Sequence, residues 1–372
     1  MEKEIIIGID SSRSNVVQRT GTEYYAYEII KGLISLRAAK KYTFKLYSKT
    51  PLNYLNRAKN IENVVMPFPR LWSQVRLSFE MLKNPPAVLF EPAHTIPLFH
   101  PKNTVVTLHD VGFRRFPELY TPLERYYHNF CMGFSVKHAR KIIAISESTK
   151  NDLIKIYKAD PKKISVIYHG YDKSKYYQAT KEAPEKIKKL QPYIYFIGRL
   201  EAKKNVKNLI RAFGVLKKDK RIKQKLVLAG RPGYQYEKIK EEIERLGAVL
   251  KDDVVELGYV SDADAPEYMR YASVFAFPSR FEGFGMPLVE AMACGVPIVS
   301  VNKTSIPEIV QEAALLSEPD DIRQISENLR EAILSKKTRE DLITRGLQRA
   351  GTFDWSKTAD KTLSVIESTL FN

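Results

Sequence analysis

VFAFPSRFEGFGMPLVEAMACGVPIVSV, residues 274–301, is the stretch on which the fold turns. Its two ends, VFAFP (274–278) and PIVSV (297–301), are short apolar runs that read as buried strands. The middle holds Gly283 and Gly285, which loosen the backbone, and Pro287, which fits the first turn of a helix, where its missing N–H costs nothing. Strand, loop, helix and strand in this order imply a parallel sheet covered by helices. The loop also carries chemistry. Glu282 precedes the helix and Glu290 sits about one turn into it. Backbone N–H groups near Met286, Leu288 and Val289 are expected to point toward the loop and to suit phosphate oxygens. Carboxylates on either side of such an anion site fit the hydroxyls of sugars that flank phosphates.

The same alternation runs outward in both directions. In the second half, YIYFIG (193–198), KLVLAG (225–230) and VVELG (254–258) read as strands, with helices near 205–217, 234–247, 262–272 and 287–294. GRLEAKKN (198–205) follows a strand and precedes a helix. Gly198 permits a tight turn, and Arg199 with Lys203 or Lys204 places cations near a helix N-terminus. In the first half, strands are read at 4–9, 43–48, 63–67, 87–91, 104–109, 141–146 and 164–169, with helices near 22–38, 71–83, 122–138 and 147–157. The fold class is therefore α/β, with two doubly wound Rossmann-like domains. The expected division is an N-terminal domain over 1–175, a C-terminal domain over 176–355, and a final helix over 356–372 that returns to the N-terminal domain. In open sheets of this kind ligands gather outside the carboxyl ends of the strands.

Composition narrows the class. The chain has 372 residues, with 44% hydrophobic and 28% charged, which excludes disordered and collagen-like chains. Cys131 and Cys294 are the two cysteines and lie far apart, which excludes a disulfide scaffold and spells out no metal motif. Residues 1–10, MEKEIIIGID, carry acids where a secretory signal carries a basic end, and no apolar run reaches 18 residues. A reducing, cytoplasmic setting is expected. The formal net charge is +17, and residues 1–180 hold 28 Lys and Arg against 15 Asp and Glu. A front half this basic points to an anionic partner, and an anionic membrane surface is a candidate. Leu71, Trp72, Val75, Phe79 and Leu82, spaced among Arg70, Arg76 and Lys83, read as a core helix before a strand, with an interfacial helix as the alternative.

GRLEAKKN together with EGFGMPLVE, with its seven residues between the two acids, resembles glycosyltransferase family 4, the retaining, nucleotide-sugar-dependent enzymes of GT-B fold. RTGTEYYAYEIIKGL (19–33), TLHDVGF (107–113), IIAISESTKNDL (142–153), VIYHGYD (166–172) and ACGVPIVS (293–300) extend the resemblance along nearly the whole chain. The resemblance implies that the two domains face each other across a cleft. It also implies that Arg199 and Lys204 hold the donor diphosphate, Glu282 the donor sugar and Glu290 the nucleotide ribose. It brings the backbones of Gly285 and Met286 to the sugar and those of Leu288 and Val289 to the diphosphate. Gly21 and Thr22 would sit above the phosphates, His109 near the sugar, and Tyr259 and Val260 beside the base. Two departures stand out. QRTGTE (18–23) lacks the double glycine that many members have, and VNKTSIPE (301–308) replaces a glycine-rich turn.

The activity this implies is transfer of a hexose, of mannose or glucose type, from a GDP- or UDP-linked donor to a glycan or lipid-linked acceptor. Cations at the leaving oxygen would do what a divalent ion does elsewhere, so no cofactor and no metal are expected. Other histidines, His94 and His169 among them, read as structural or exposed. Two rival readings are a GT-B-type epimerase or phosphorylase and a basic nucleic-acid-binding protein. The donor motifs need neither, and no nucleic acid is expected.

Overall fold

The computed structural model describes residues 5–16, 19–55, 58–250 and 253–370, with the backbone alone for 247–249. Its contacts divide the chain into two units, Met1–Gly170 with Asp354–Asn372, and Tyr171–Phe353.

Among the described residues the first unit holds seven strands: β1 (Ile6–Asp10), β2 (Thr43–Ser48), β3 (Ile61–Val65), β4 (Val88–Glu91), β5 (Thr104–Leu108), β6 (Lys141–Ala144) and β7 (Ile164–Val166). They pair in the order β3-β2-β1-β4-β5-β6-β7, every pairing parallel. The second unit holds β8 (Tyr193–Ile197), β9 (Lys225–Ala229), β10 (Val254–Gly258), β11 (Val274–Phe277), β12 (Ile298–Val301) and β13 (Ala314–Ser317). Their order is β10-β9-β8-β11-β12-β13, again all parallel. This is the doubly wound architecture expected from the alternating pattern.

The central strands β4, β5 and β11 are buried throughout, because helices cover both faces of a parallel sheet. In the second unit Phe196, Phe275 and Phe277 stack across β8 and β11, with centroids 6.2 and 5.6 Å apart. Strand order reverses between β8 and β11, and at such a switch point the loops leaving the two carboxyl ends open a crevice. GRLEAKKN leaves β8 and SRFEGFG leaves β11, so the two motifs become neighbours although they are far apart in sequence.

The last helix, Trp355–Glu367, belongs to the first unit and packs on the helix Gly21–Ser35. Thr358 Oγ1 donates to Tyr168 O at 2.8 Å, and Tyr42 Oη to Glu367 Oε1 at 2.7 Å. Gly170 is required here, since a Cβ on it would lie 2.1 Å from the Trp355 nitrogen.

Element boundaries differ from expectation in several places. The helix expected over 22–38 stops at Ser35, and a 3-10 turn, Arg37–Lys41, follows. The segment read as one helix over 71–83 is a π-helical turn, Ser73–Leu77, running into an α-helix, Ser78–Lys83. Between 302 and 355, where no element was read, lie β13 and the helices Ile306–Val310, Ile322–Leu334 and Lys336–Ala350. The Ile322–Leu334 helix is amphipathic, burying Ile325, Leu329 and Ala332 at helical spacing among charged residues.

Candidate active site in the second unit

The loop leaving β8 is held by close backbone approach. A Cβ on Gly230, at φ +152°, would lie 1.8 Å from Gly198 O, so this position excludes every side chain. Gly198 N–H donates to Ala229 O at 2.9 Å, and Leu200 N–H to Arg231 O at 2.9 Å. The turn Ala202–Lys204 then ends on Asn205 at φ +58°, whose Nδ2 donates to Pro319 O at 2.7 Å. That anchorage separates the two lysines that the sequence left open. The Lys203 carbonyl accepts Arg280 N–H at 2.9 Å, tying this loop to the one leaving β11, and its Nζ lies 3.9 Å from Glu201. Lys204 turns the other way. Its Nζ meets Glu282 Oε1 at 2.5 Å and lies 5.2 Å from the Phe277 ring centroid. The two side chains are only 16% and 14% exposed, so the pair is poorly screened. Arg199 is exposed, and among the described residues its guanidinium has no ion-pair partner.

Glu282 is braced from behind. Its N–H donates to Thr304 Oγ1 at 3.1 Å. Ser305 Oγ lies 3.0 Å from Glu282 O and 2.9 Å from Phe284 O. These two residues come from the turn after β12, in the VNKTSIPE segment, and the sequence reading did not assign them. The available signal was a Thr-Ser pair directly after a strand end. Gly285 follows as the N-cap of the helix Met286–Ala293, at φ +100°, with Pro287 in the first turn and no capping side chain. The first amides of a helix lack i−4 carbonyl partners. One expected donor is corrected: Leu288 N–H turns back onto Gly285 O at 2.9 Å, which closes the turn instead of leaving that amide for a ligand. Met286 and Val289 lie in the same first turn.

Glu290, one turn further on, keeps part of its surface open. Burial pushes its carboxyl up to about 7, opposed mainly by a hydrogen bond from Tyr176, while Asp262 adds to the rise. Tyr259, just after β10, is half exposed, and the Arg231 guanidinium lies 4.5 Å from its ring centroid. Val260 beside it is half-buried.

Gly21, Thr22 and His109 belong to the first unit. Gly21 opens the helix Gly21–Ser35 behind a capping box of Thr20 and Glu23, and a Cβ on it would meet nothing within 4 Å. Thr22 is half-buried. Gln18 of the QRTGTE loop lies outside the described residues. His109, directly after β5, is 4% exposed and pairs through Nε2 with Pro92 O at 2.8 Å. A carbonyl only accepts, so Nε2 carries the hydrogen and Nδ1 the lone pair. Tyr25 and His94 stand with ring centroids 4.8 Å from it, and burial lowers its pKa, so the ring is neutral near pH 7. Among the described residues no three His, Cys, Asp or Glu side chains are grouped to hold a metal ion, and no helix is long and apolar enough to cross a membrane.

Residues 178–349 match the family model for group 1 glycosyl transferases, and residues 20–175 that for Glycosyltransferase Family 4. The chain is 30% identical over 268 residues to O-antigen chain mannosyltransferase B of Escherichia coli, covering 71% of this chain and 70% of the relative. It is 30% identical over 242 residues to an N-acetylgalactosaminyltransferase of Campylobacter jejuni, covering 64% of this chain and 63% of the relative; the acceptor in that enzyme's name is a diphospho-undecaprenol. Among solved structures, Anabaena HepE in complex with UDP-glucose superposes with a TM-score of 0.72 at 18% identity, covering 98% of this chain and 100% of HepE.

Proposed function

The chain belongs to glycosyltransferase family 4, and on that premise we propose that it transfers a hexose, of mannose type, from a nucleoside-diphosphate sugar to a lipid-linked or glycan acceptor with retention of anomeric configuration. The observation that carries the reading is the Lys204–Glu282 pair, 2.5 Å apart at the switch point and beside an uncapped helix N-terminus. A cation and a carboxylate side by side would suit a diphosphate and the sugar bonded to it. As the anomeric C–O bond breaks, negative charge grows on the departing phosphate. Lys204, Arg199 and the helix N-terminus would stabilise it, the largest effect available to such a site. Glu282 would accept hydrogen bonds from sugar hydroxyls and Glu290 from the ribose. With retention and no assigned nucleophile, the acceptor oxygen attacks the face that the phosphate leaves. The new bond forms at the anomeric carbon, the old one breaks to the diphosphate, and the acceptor proton passes to the leaving oxygen. Gly21, Thr22 and His109 are assigned to the donor by resemblance, and a neutral His109 would act as a hydrogen-bonding group and not as an acid. This scheme uses protein cations in place of a metal ion.

The mannosyltransferase relative favours a nucleotide-linked mannose, with the base left to GDP or UDP, and the UDP-glucose complex of HepE makes UDP-glucose the comparison donor. Melting the protein with a panel of nucleotide sugars tests the reading, since a ligand that binds only the folded state raises the melting temperature. A rise with one donor, followed by its slow hydrolysis without acceptor, is expected. No shift with any nucleotide sugar would refute it.

A further inference from the structure

The second unit opens on an irregular segment, 171–178, fastened to the helix that carries Glu290. Asp172 folds its first part into a turn. The carboxylate accepts from Ser174 Oγ at 2.6 Å and Ser174 N–H at 3.0 Å, and the carbonyl from Lys175 N–H at 3.1 Å and Tyr176 N–H at 3.0 Å. Arg270, only 8% exposed, clamps the next part. Its Nη2 donates to Lys175 O at 2.6 Å and its Nε to Tyr177 O at 3.0 Å, with the guanidinium 4.0 Å from the Tyr177 ring centroid. Nη1 pairs with Glu267 at 2.5 Å, which compensates the buried charge. Cys294 hydrogen-bonds to the Tyr177 backbone, and a Cβ on Gly295 would lie 2.8 Å from Gln178 Nε2. A planar guanidinium fixes the acceptors it holds in one geometry. The two carbonyls it holds flank Tyr176, so the clamp sets where the Tyr176 side chain is aimed. That side chain hydrogen-bonds to the Glu290 carboxylate. A phenol near neutral pH keeps its proton, so the hydroxyl donates.

Glu290 depends on that bond more than an exposed carboxylate would. Burial drives its carboxyl toward the neutral acid, and the Tyr176 hydroxyl is the largest influence opposing burial, ahead of Lys175. Asp262 and Asp172 act in the same direction as burial. Tyr195 of β8 and Cys294 also interact with its charge, and burial keeps both of them neutral. A carboxylate offers two oxygens with about four lone-pair sites and only accepts, whereas the neutral acid turns one oxygen into a donor. With one site taken by Tyr176, the ionised group still has room for two ribose hydroxyls.

We propose that Tyr176 is a positioning residue for the nucleotide: its hydroxyl, aimed by the Arg270 clamp, holds the Glu290 carboxylate ready to accept from the ribose. The proposal rests on the reading of Glu290 as the ribose-binding residue, and its test separates the two.

The test is calorimetric titration of the full chain with GDP and with UDP from pH 6 to pH 9. Tyr176→Phe keeps the ring and removes the hydroxyl, and its melting temperature should stay close to the parent's. Affinity relative to the parent should fall about tenfold or more at pH 6.5, where the carboxyl of the variant stays protonated, and about threefold or less at pH 9, where it is ionised in both proteins. Taking the ratio to the parent cancels the titration of the ligand's own phosphate. On a Glu290→Gln background, Tyr176→Phe should add less than about a twofold loss. Tyr42→Phe, which removes the bond to Glu367 in the first unit, should bind like the parent at every pH. A loss that is equal at all pH values, unchanged or tighter binding by Tyr176→Phe, or the same loss on the Glu290→Gln background overturns the proposal. If Glu290→Gln flattens the pH profile while Tyr176→Phe follows the parent, the proposal falls and the reading of Glu290 stands. If Glu290→Gln changes neither affinity nor profile, or the parent binds neither nucleotide, both fall.

Discussion

Replacing Lys204 by Met keeps the length of the side chain and removes its charge. Lys204 Nζ and Glu282 Oε1 are 2.5 Å apart, with side chains 16% and 14% exposed. At an effective dielectric constant of about 20, their gross attraction is about 6–7 kcal/mol, most of it offset by desolvation. Removing one partner of a fully buried pair costs about 3–5 kcal/mol, because the other charge is stranded. Here some water reaches both groups, so about 2–3 kcal/mol is expected for Lys204→Met, read from urea unfolding of the second unit. Lys204→Met combined with Glu282→Gln leaves no stranded charge and should recover stability to within about 1 kcal/mol of the parent. Catalysis should not recover. Loss of a donor aimed at charge that develops in the transition state lowers turnover about a hundred- to a thousandfold, and both variants should show that loss in a steady-state assay with saturating donor. Recovery of turnover together with stability in the double variant would refute the reasoning, since the pair would then be structural alone.

Three further outcomes follow from the same geometry. Burial holds Glu290 at about 7, so its ionised fraction rises from roughly a tenth at pH 6 to nine-tenths at pH 8. If the carboxylate accepts from the ribose, donor affinity should climb up to about tenfold over that range, and Glu290→Gln should flatten the profile; an unchanged calorimetric slope in the variant would remove Glu290 from the nucleotide. Gly230→Ala should destabilise the second unit by at least about 3 kcal/mol or prevent its folding, given the 1.8 Å approach to Gly198 O, whereas Gly21→Ala, which meets nothing within 4 Å, should leave the melting temperature nearly unchanged. In the first unit, burial lowers His94, His109 and His169 and raises Glu91. A histidine whose folded pKa is lowered costs stability as pH falls below about 6.5, while a raised carboxyl contributes in the opposite sense above about 4.5. Between those values the histidines outnumber the acid, and stability should fall by about 1–3 kcal/mol per pH unit on acidification; a melting temperature that stays flat or rises from pH 6.5 to 5 would contradict this.

The parts of the fold that the sequence displayed are those with a local period. The strands β8, β9 and β11 are short apolar runs bounded by turn residues, and burial on both faces is what makes such runs continuous. The segment 71–83 shows the limit of that signal. Its apolar pattern favours a core helix over an interfacial one, and only the structure shows that Trp72, Leu77 and Met81 take the inner side while Leu71, Val75, Phe79 and Leu82 take the outer. The same holds for the site. Arg199, Glu282 and Glu290 could be picked from motif and spacing, since each stands at a strand end or in a helix's first turns. The loop motif by itself leaves Lys203 and Lys204 open, and only the family resemblance favours Lys204, because the physical difference lies in partners distant in sequence: Arg280 N–H on the Lys203 carbonyl and Glu282, 78 residues away, on Lys204. Thr304 and Ser305 were silent for the same reason. Their hydroxyls matter only because β12 lies beside β11, which brings the turn after one strand under the loop of the other. Leu288 fails in the other direction, for a strictly local cause. A left-handed Gly285 and a proline in the first turn fold that amide back onto the Gly285 carbonyl, so the glycine that opens the loop to a ligand also withdraws one of the donors.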